Sequence, residues 1–121
     1  MKISDGMYIK YIRCVINGYV PPRIAKVTDC SDKDLIKIDN GQVILRNDIL
    51  KVSYNIIDII EEGDYVNGYK VSFKGKDIEQ FVQCDYPVQE GTTNHYRFYE
   101  QAIYSIVTKE QFRSIVYEVE K

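Results

Sequence analysis

The chain has 121 residues, 45% of them apolar and 28% charged, with a formal net charge of −2 at pH 7. That size and balance fit one soluble globular domain able to bury a core without disulfide staples. They exclude a membrane-spanning helix, since no apolar run approaches ~20 residues, and they weigh against a strongly basic duplex-binding domain.

Eleven tyrosines, four phenylalanines and no tryptophan, with abundant Ile and Val, favour strands. Residues 7–16, MYIKYIRCVI, read as a strand. Asn17-Gly18 then turns the chain, because Asn followed by Gly best tolerates the positive φ of a type I′ turn. Pro21-Pro22 cannot donate to a ladder, which predicts an edge or loop there, and 23–29 resumes a strand. LIKID and QVILR around Asn40-Gly41 predict a second hairpin. Residues 46–60 fit neither period; their β-branched bias predicts strand in the second half and a short helical turn around 47–51.

Glu61-Glu62-Gly63-Asp64 reads as a turn, followed by a third hairpin, YVNGYKVSF, with Val66, Val71 and Phe73 inward. Residues 78–84 alternate as a strand. The polar run 85–95, with Pro87 and Gly91, predicts a loop, and YRFYEQ and AIYSIV predict strands. In VTKEQF, Thr108 and Gln111 form a capping box, with Val107 and Phe112 placed as a hydrophobic staple over about one turn of helix. Residues 114–119 return to strand composition. The sum is a mainly β chain: a small antiparallel meander curling into a Src-homology-3-like barrel or a sandwich, with one or two single-turn helices. It reads as a single domain over 1–121, with N-terminal strands in 1–34 and a β-hairpin core in 35–121.

Cys14, Cys30 and Cys84 are odd in number and lack C-x-x-C spacing, so neither a disulfide framework nor a structural zinc site is expected. The N-terminus has no signal-peptide apolar core, and the expected location is the cytoplasm. His95, the only histidine, has no sequence-visible nucleophile or orienting carboxylate, so no catalytic residue is assigned. Asp58, Glu61, Glu62 and Asp64 lack the spacing of a calcium loop and read as a solvated turn. The glycines are dispersed and build no phosphate cradle. No metal or cofactor is expected.

Aromatic residues interleaved with basic ones give two candidate surfaces. Tyr86, Glu90, Thr92, Thr93, Asn94, His95, Tyr96, Arg97 and Tyr99 form a polar loop and aromatic run suited to a protein partner, since Tyr and Arg are enriched at binding hot spots. Tyr8, Lys10, Tyr11, Arg13 and Arg23 lie in an N-terminal segment where residues 1–31 carry a net +3, against −5 in the remainder. They are suited to stacking on and neutralising a nucleic acid. The acidic balance of the whole favours the first surface.

Ser53, Asn55, Ile56, Ile57, Asp58, Ile60, Glu61, Gly63, Asp64, Val66, Asn67, Gly68 and Val71 match the pattern S-x-N-I-I-D-x-I-E-x-G-D-x-V-N-G-x-x-V. Ile106, Val107, Thr108, Glu110, Phe112, Tyr117 and Val119 continue it. Over about residues 50–121 the chain resembles small phage and prophage proteins of Gram-positive bacteria, especially clostridia; segment 79–100 is longer and more polar than that pattern. The resemblance implies a mobile-element origin and carries no catalytic residues. The expectation is a non-enzymatic accessory protein that binds and inhibits a host macromolecule, such as a component of a bacterial defence system in the manner of an anti-CRISPR. The alternative is a nucleic-acid-binding regulator. Exposed strand edges make a homodimer a further expectation.

Overall fold

The structure, a computed structural model, describes residues 2–15, 18–89 and 92–115. Among these, ten strands form two five-stranded antiparallel sheets. The first holds β1 (Tyr8–Val15), β2 (Gly18–Asp29), β3 (Leu35–Ile38), β4 (Val43–Leu45) and β5 (Ile49–Ser53), in the order β4-β3-β2-β1-β5. The second holds β6 (Tyr65–Val66), β7 (Tyr69–Lys76), β8 (Gln80–Gln89), β9 (Thr92–Tyr99) and β10 (Ile106–Val107), in the order β10-β6-β7-β8-β9. One topology is used twice. Each sheet is a four-strand meander whose fifth strand returns to pair with the first. Each fifth strand follows a 3₁₀ turn, Arg46–Asp48 or Glu100–Ala102, and precedes a helix, α1 (Ile56–Ile59) or α2 (Lys109–Ile115).

The mainly β, antiparallel, meandering architecture with two short helices is as the sequence predicts. Closure into a barrel is not: both sheets stay open, an arrangement compatible with a sandwich. No helix of the described residues is long and apolar enough to cross a membrane.

Period-2 alternation builds two apolar clusters. In β3 and β4, Ile36, Ile38 and Ile44 are buried while Leu35, Lys37, Val43 and Leu45 face out. With Ile9, Tyr11, Val27 and Ile49 they form the first cluster. Ile57, Ile60, Val66, Val71, Val82 and Cys84 form the second. Helix α1 therefore follows the first sheet in sequence and lies against its β1 and β5, while its Ile57 joins the core of the second. The second half of 46–60, where it lies, was expected as strand. Asn55 decides otherwise: its side chain caps the Ile57 amide at 2.9 Å, and Ser53 Oγ donates to Asp58 at 2.7 Å.

The three Asn-Gly pairs differ. Residues 16–17 lie outside the described residues, although β1 and β2 pair antiparallel on either side of them. Asn67 and Gly68 have φ of 53° and 88°, and Val66 pairs with Tyr69, the two-residue type I′ hairpin expected. At Asn40-Gly41 only Gly41 has positive φ. The Gly41 amide bonds to Ile38 O and the Ile38 amide to Gln42 O, a three-residue loop with a glycine bulge.

Pro21-Pro22 neither ends β2 nor forms a loop. The register shifts there, from Tyr11↔Arg23 to Arg13↔Val20, so a bulge absorbs both rings. β3 reaches only Val27–Asp29, leaving the proline half of β2 without a strand on its other side. A second bulge between Val71 and Phe73 turns Phe73 outward, against the inward placement predicted. AIYSIV is strand only at Ile106–Val107, and α2 continues to Ile115 where strand was expected; 116–121 lie outside the described residues.

Candidate partner-binding face

The polar run 85–95 is not a loop. β8 extends to Gln89 and β9 starts at Thr92, with residues 90–91, and hence Glu90, outside the described residues. Pro87 is tolerated because β7 pairs with β8 only as far as Asp85, so its missing amide faces no neighbour on that side. The side chains of Tyr86, Thr92, Thr93 and Asn94 also lie outside what is described; their backbones sit in the ladder, with Tyr86↔Asn94 and Pro87↔Thr93 paired.

Register sets which predicted residues meet. Rows across β7, β8 and β9 alternate between the two faces of the sheet. Val71–Cys84–Tyr96 and Lys74–Val82–Phe98 are two rows, and the buried Val71, Cys84 and Val82 put them on the core face. Lys70–Asp85–His95, Phe73–Gln83–Arg97 and Gly75–Phe81–Tyr99 lie on the outer face. His95, Arg97 and Tyr99 therefore share a surface. Tyr96 does not: it leans on Tyr69, with ring centroids 5.2 Å apart.

The outer face is tightly organised. Phe81 is 4% exposed, although the core lies on the other side of its strand. Phe73 and Tyr99 meet it edge-on at 5.8 and 5.9 Å, and the Arg97 guanidinium lies 4.4 Å from its ring centroid. Gly75 supplies the space beneath, since a Cβ there would stand 2.6 Å from Phe81 Cζ. The Tyr99 hydroxyl donates to Asp77 Oδ2 at 2.6 Å. That bond holds the Asp77 carboxyl below its ordinary range and the Tyr99 phenol above it. His95 Nδ1 lies 2.6 Å from Asp85 Oδ1. Ile78, 94% exposed, stands at the margin. This composition, aromatic with arginine and few free charges, is that of a binding hot spot. Phe73, Phe81, Gly75 and Gln83 escaped the sequence reading because the bulge at 71–73 and the length of β8 are not local signals.

The N-terminal surface breaks up. Tyr8 is half-buried with the Lys26 ammonium 5.5 Å over its ring, and Arg13 and Arg23 are exposed. Tyr11 is in the core, where burial pushes its phenol up. Lys10 is also buried, and its ammonium bonds to Glu61 at 2.7 Å and Glu110 at 3.4 Å. Burial pushes Lys10 down, but Glu61, Glu110 and Asp64 override it and hold it above its ordinary value. Lys10 and Tyr11 cannot reach a nucleic acid from these positions.

The acidic run is a turn at 62–63 with Asp58 and Glu62 exposed, as expected, but Glu61 and Asp64 are drawn inward. Glu61 also takes Lys51 at 3.2 Å and Lys109 at 3.0 Å, and its carboxyl is pulled down to about 2, chiefly by the Lys10 bond. Asp64 is fully buried and accepts the amides of Glu61 and Lys109, capping α2; burial nonetheless pushes its carboxyl up. These charges tie the first sheet to the second. Cys84, also buried, has its thiol pushed up to about 11, so it is protected and inert.

Comparison with protein families, with curated proteins and with solved structures finds no match.

Proposed function

We propose that this chain is a non-enzymatic binding protein whose outer face on the second sheet docks a protein partner. The observation that carries this reading is the Phe73–Phe81–Tyr99 cluster with Arg97 laid over it, an aromatic assembly on the side of the sheet facing away from its core. Aromatic rings and a stacked guanidinium give large contact area at small entropic cost. The phage-like motif at 53–71 supports a host macromolecule as that partner, and inhibition of a defence component as the consequence of binding.

The test is affinity capture from bacterial host lysate with the wild-type chain and with Phe73→Ala/Arg97→Ala. A protein is expected on the wild-type chain, with affinity lost about thirtyfold in the double variant, the loss of one ~2 kcal/mol hot spot. Equal capture by both, or tight nucleic-acid binding with no protein captured, overturns the reading.

A further inference from the structure

Resting on that reading of the outer face, we propose that the outer edge of β9 receives an extended segment of the partner as a sixth strand, with an acidic residue opposite Arg97 and apolar residues on the core side. Among the described residues β9 ends its sheet, paired on one side by β8 alone. It is eight residues long, whereas the other edges, β4, β5 and β10, have three, five and two. From Phe81↔Tyr99 to Pro87↔Thr93 its ladder runs without a shift; the one bulge lies beyond, between Pro87 and Gln89. Its sequence, TTNHYRFY, holds no proline and no acidic residue. Edges this long are normally blunted by such devices. Every second residue of β9 turns its amide and carbonyl away from β8, and an added strand satisfies those groups.

Charge selects the occupant. Arg97 stands on the outer face with its side chain 52% exposed, two residues from His95, whose ring is already held by Asp85 at 2.6 Å. Arg97 approaches its nearest carboxylate, Asp77, only at 4.0 Å. A second copy paired antiparallel through its own β9 sets Arg97 opposite Thr93, His95, Tyr99 or another Arg97 according to register, none of them an acidic residue. An incoming strand with an acid opposite Arg97 supplies the carboxylate that Arg97 lacks at close range. The residue next to that acid falls on the core side, against Tyr96, which is 38% exposed. An apolar residue fits there.

The probe is a randomised ten-residue peptide library panned on the immobilised full chain. Enriched peptides are expected to carry an acidic residue with apolar residues beside it. A selected peptide is expected to slow hydrogen exchange at β9 amides between Thr93 and Tyr99 and to leave β4 unchanged. Arg97→Glu, folded by near-ultraviolet circular dichroism, is expected to bind that peptide at least tenfold more weakly and to select Lys or Arg on repanning. Failure to enrich binders, or binders without an acidic preference, overturns the proposal. So does a free chain that sediments as a dimer with its β9 amides protected. Binding that shifts Phe73 and Gln83 but leaves β9 exchange unaltered removes the edge and keeps the face; a footprint elsewhere removes both.

Discussion

Gly75 lies beneath two rings of the outer face, with Phe81 Cζ 2.6 Å and two Phe73 atoms 3.1 Å from where a Cβ would be. Phe73 is half-exposed and can yield; Phe81 is hemmed in on all sides. Gly75→Ala is therefore expected to destabilise by about 1–3 kcal/mol in urea unfolding, the usual cost of overpacking. Asn67 does two jobs. Its positive φ closes the type I′ turn, and its side chain accepts the amides of Tyr104 and Ser105 at 2.9 and 3.1 Å while donating to Ala102 O at 2.8 Å. Asn67→Ala is expected to cost about 2–4 kcal/mol by the same measurement, because three backbone partners lose their bonds to a buried side chain and the left-handed conformation loses its best non-glycine residue. The turn was legible in the sequence, since Asn-Gly chemistry is local. The clamp onto residues 102–105 was not, because it joins positions 35 to 38 apart.

Helix α2 shows the same division. The capping box was readable from spacing: Thr108 Oγ1 accepts the Gln111 amide at 3.1 Å, and Gln111 Oε1 accepts the Thr108 amide at 3.1 Å. Thr108 Oγ1 also donates to Pro22 O at 2.6 Å, pinning the helix start to the first sheet. Thr108→Ala is expected to lower stability by about 1–2 kcal/mol in urea unfolding, while Thr108→Ser retains most of it. Helix α1 was misread because four residues hold too few periods to outweigh a β-branched run; only the Asn55 cap marked it. The β8–β9 hairpin was misread as a loop because polar residues, Pro87 and Gly91 suggested one. Its outer-face positions need no apolar alternation, and the proline sits where its strand has lost one neighbour. Of the candidate residues on this face, Arg97 and Tyr99 were expected on a strand and lie on one, whereas His95 was expected in a loop and lies on the same strand.

At the scale of the whole molecule, the charge asymmetry noted in the sequence is used inside, with Lys10 and Lys51 from the first sheet meeting Glu61 before the second. The folded Glu61 carboxyl, at about 2, lies below the 4.5 of an unperturbed glutamate. Its contribution to stability is therefore complete above that higher value and is lost as pH falls towards 2. Asp64 is shifted the other way by burial and opposes this trend. Comparing urea midpoints of the wild type and Glu61→Gln from pH 6 down to pH 2.5 isolates the Glu61 part: the difference is expected to shrink steadily with acid. The two apolar clusters share no residue. Losses from Ile36→Ala and Val82→Ala, one in each cluster, are expected to add within about 0.5 kcal/mol in a double-mutant cycle. A lineage can in that case revise the recognition surface of one half while the interior of the other stays untouched, as one room of a house is refitted without disturbing its neighbour.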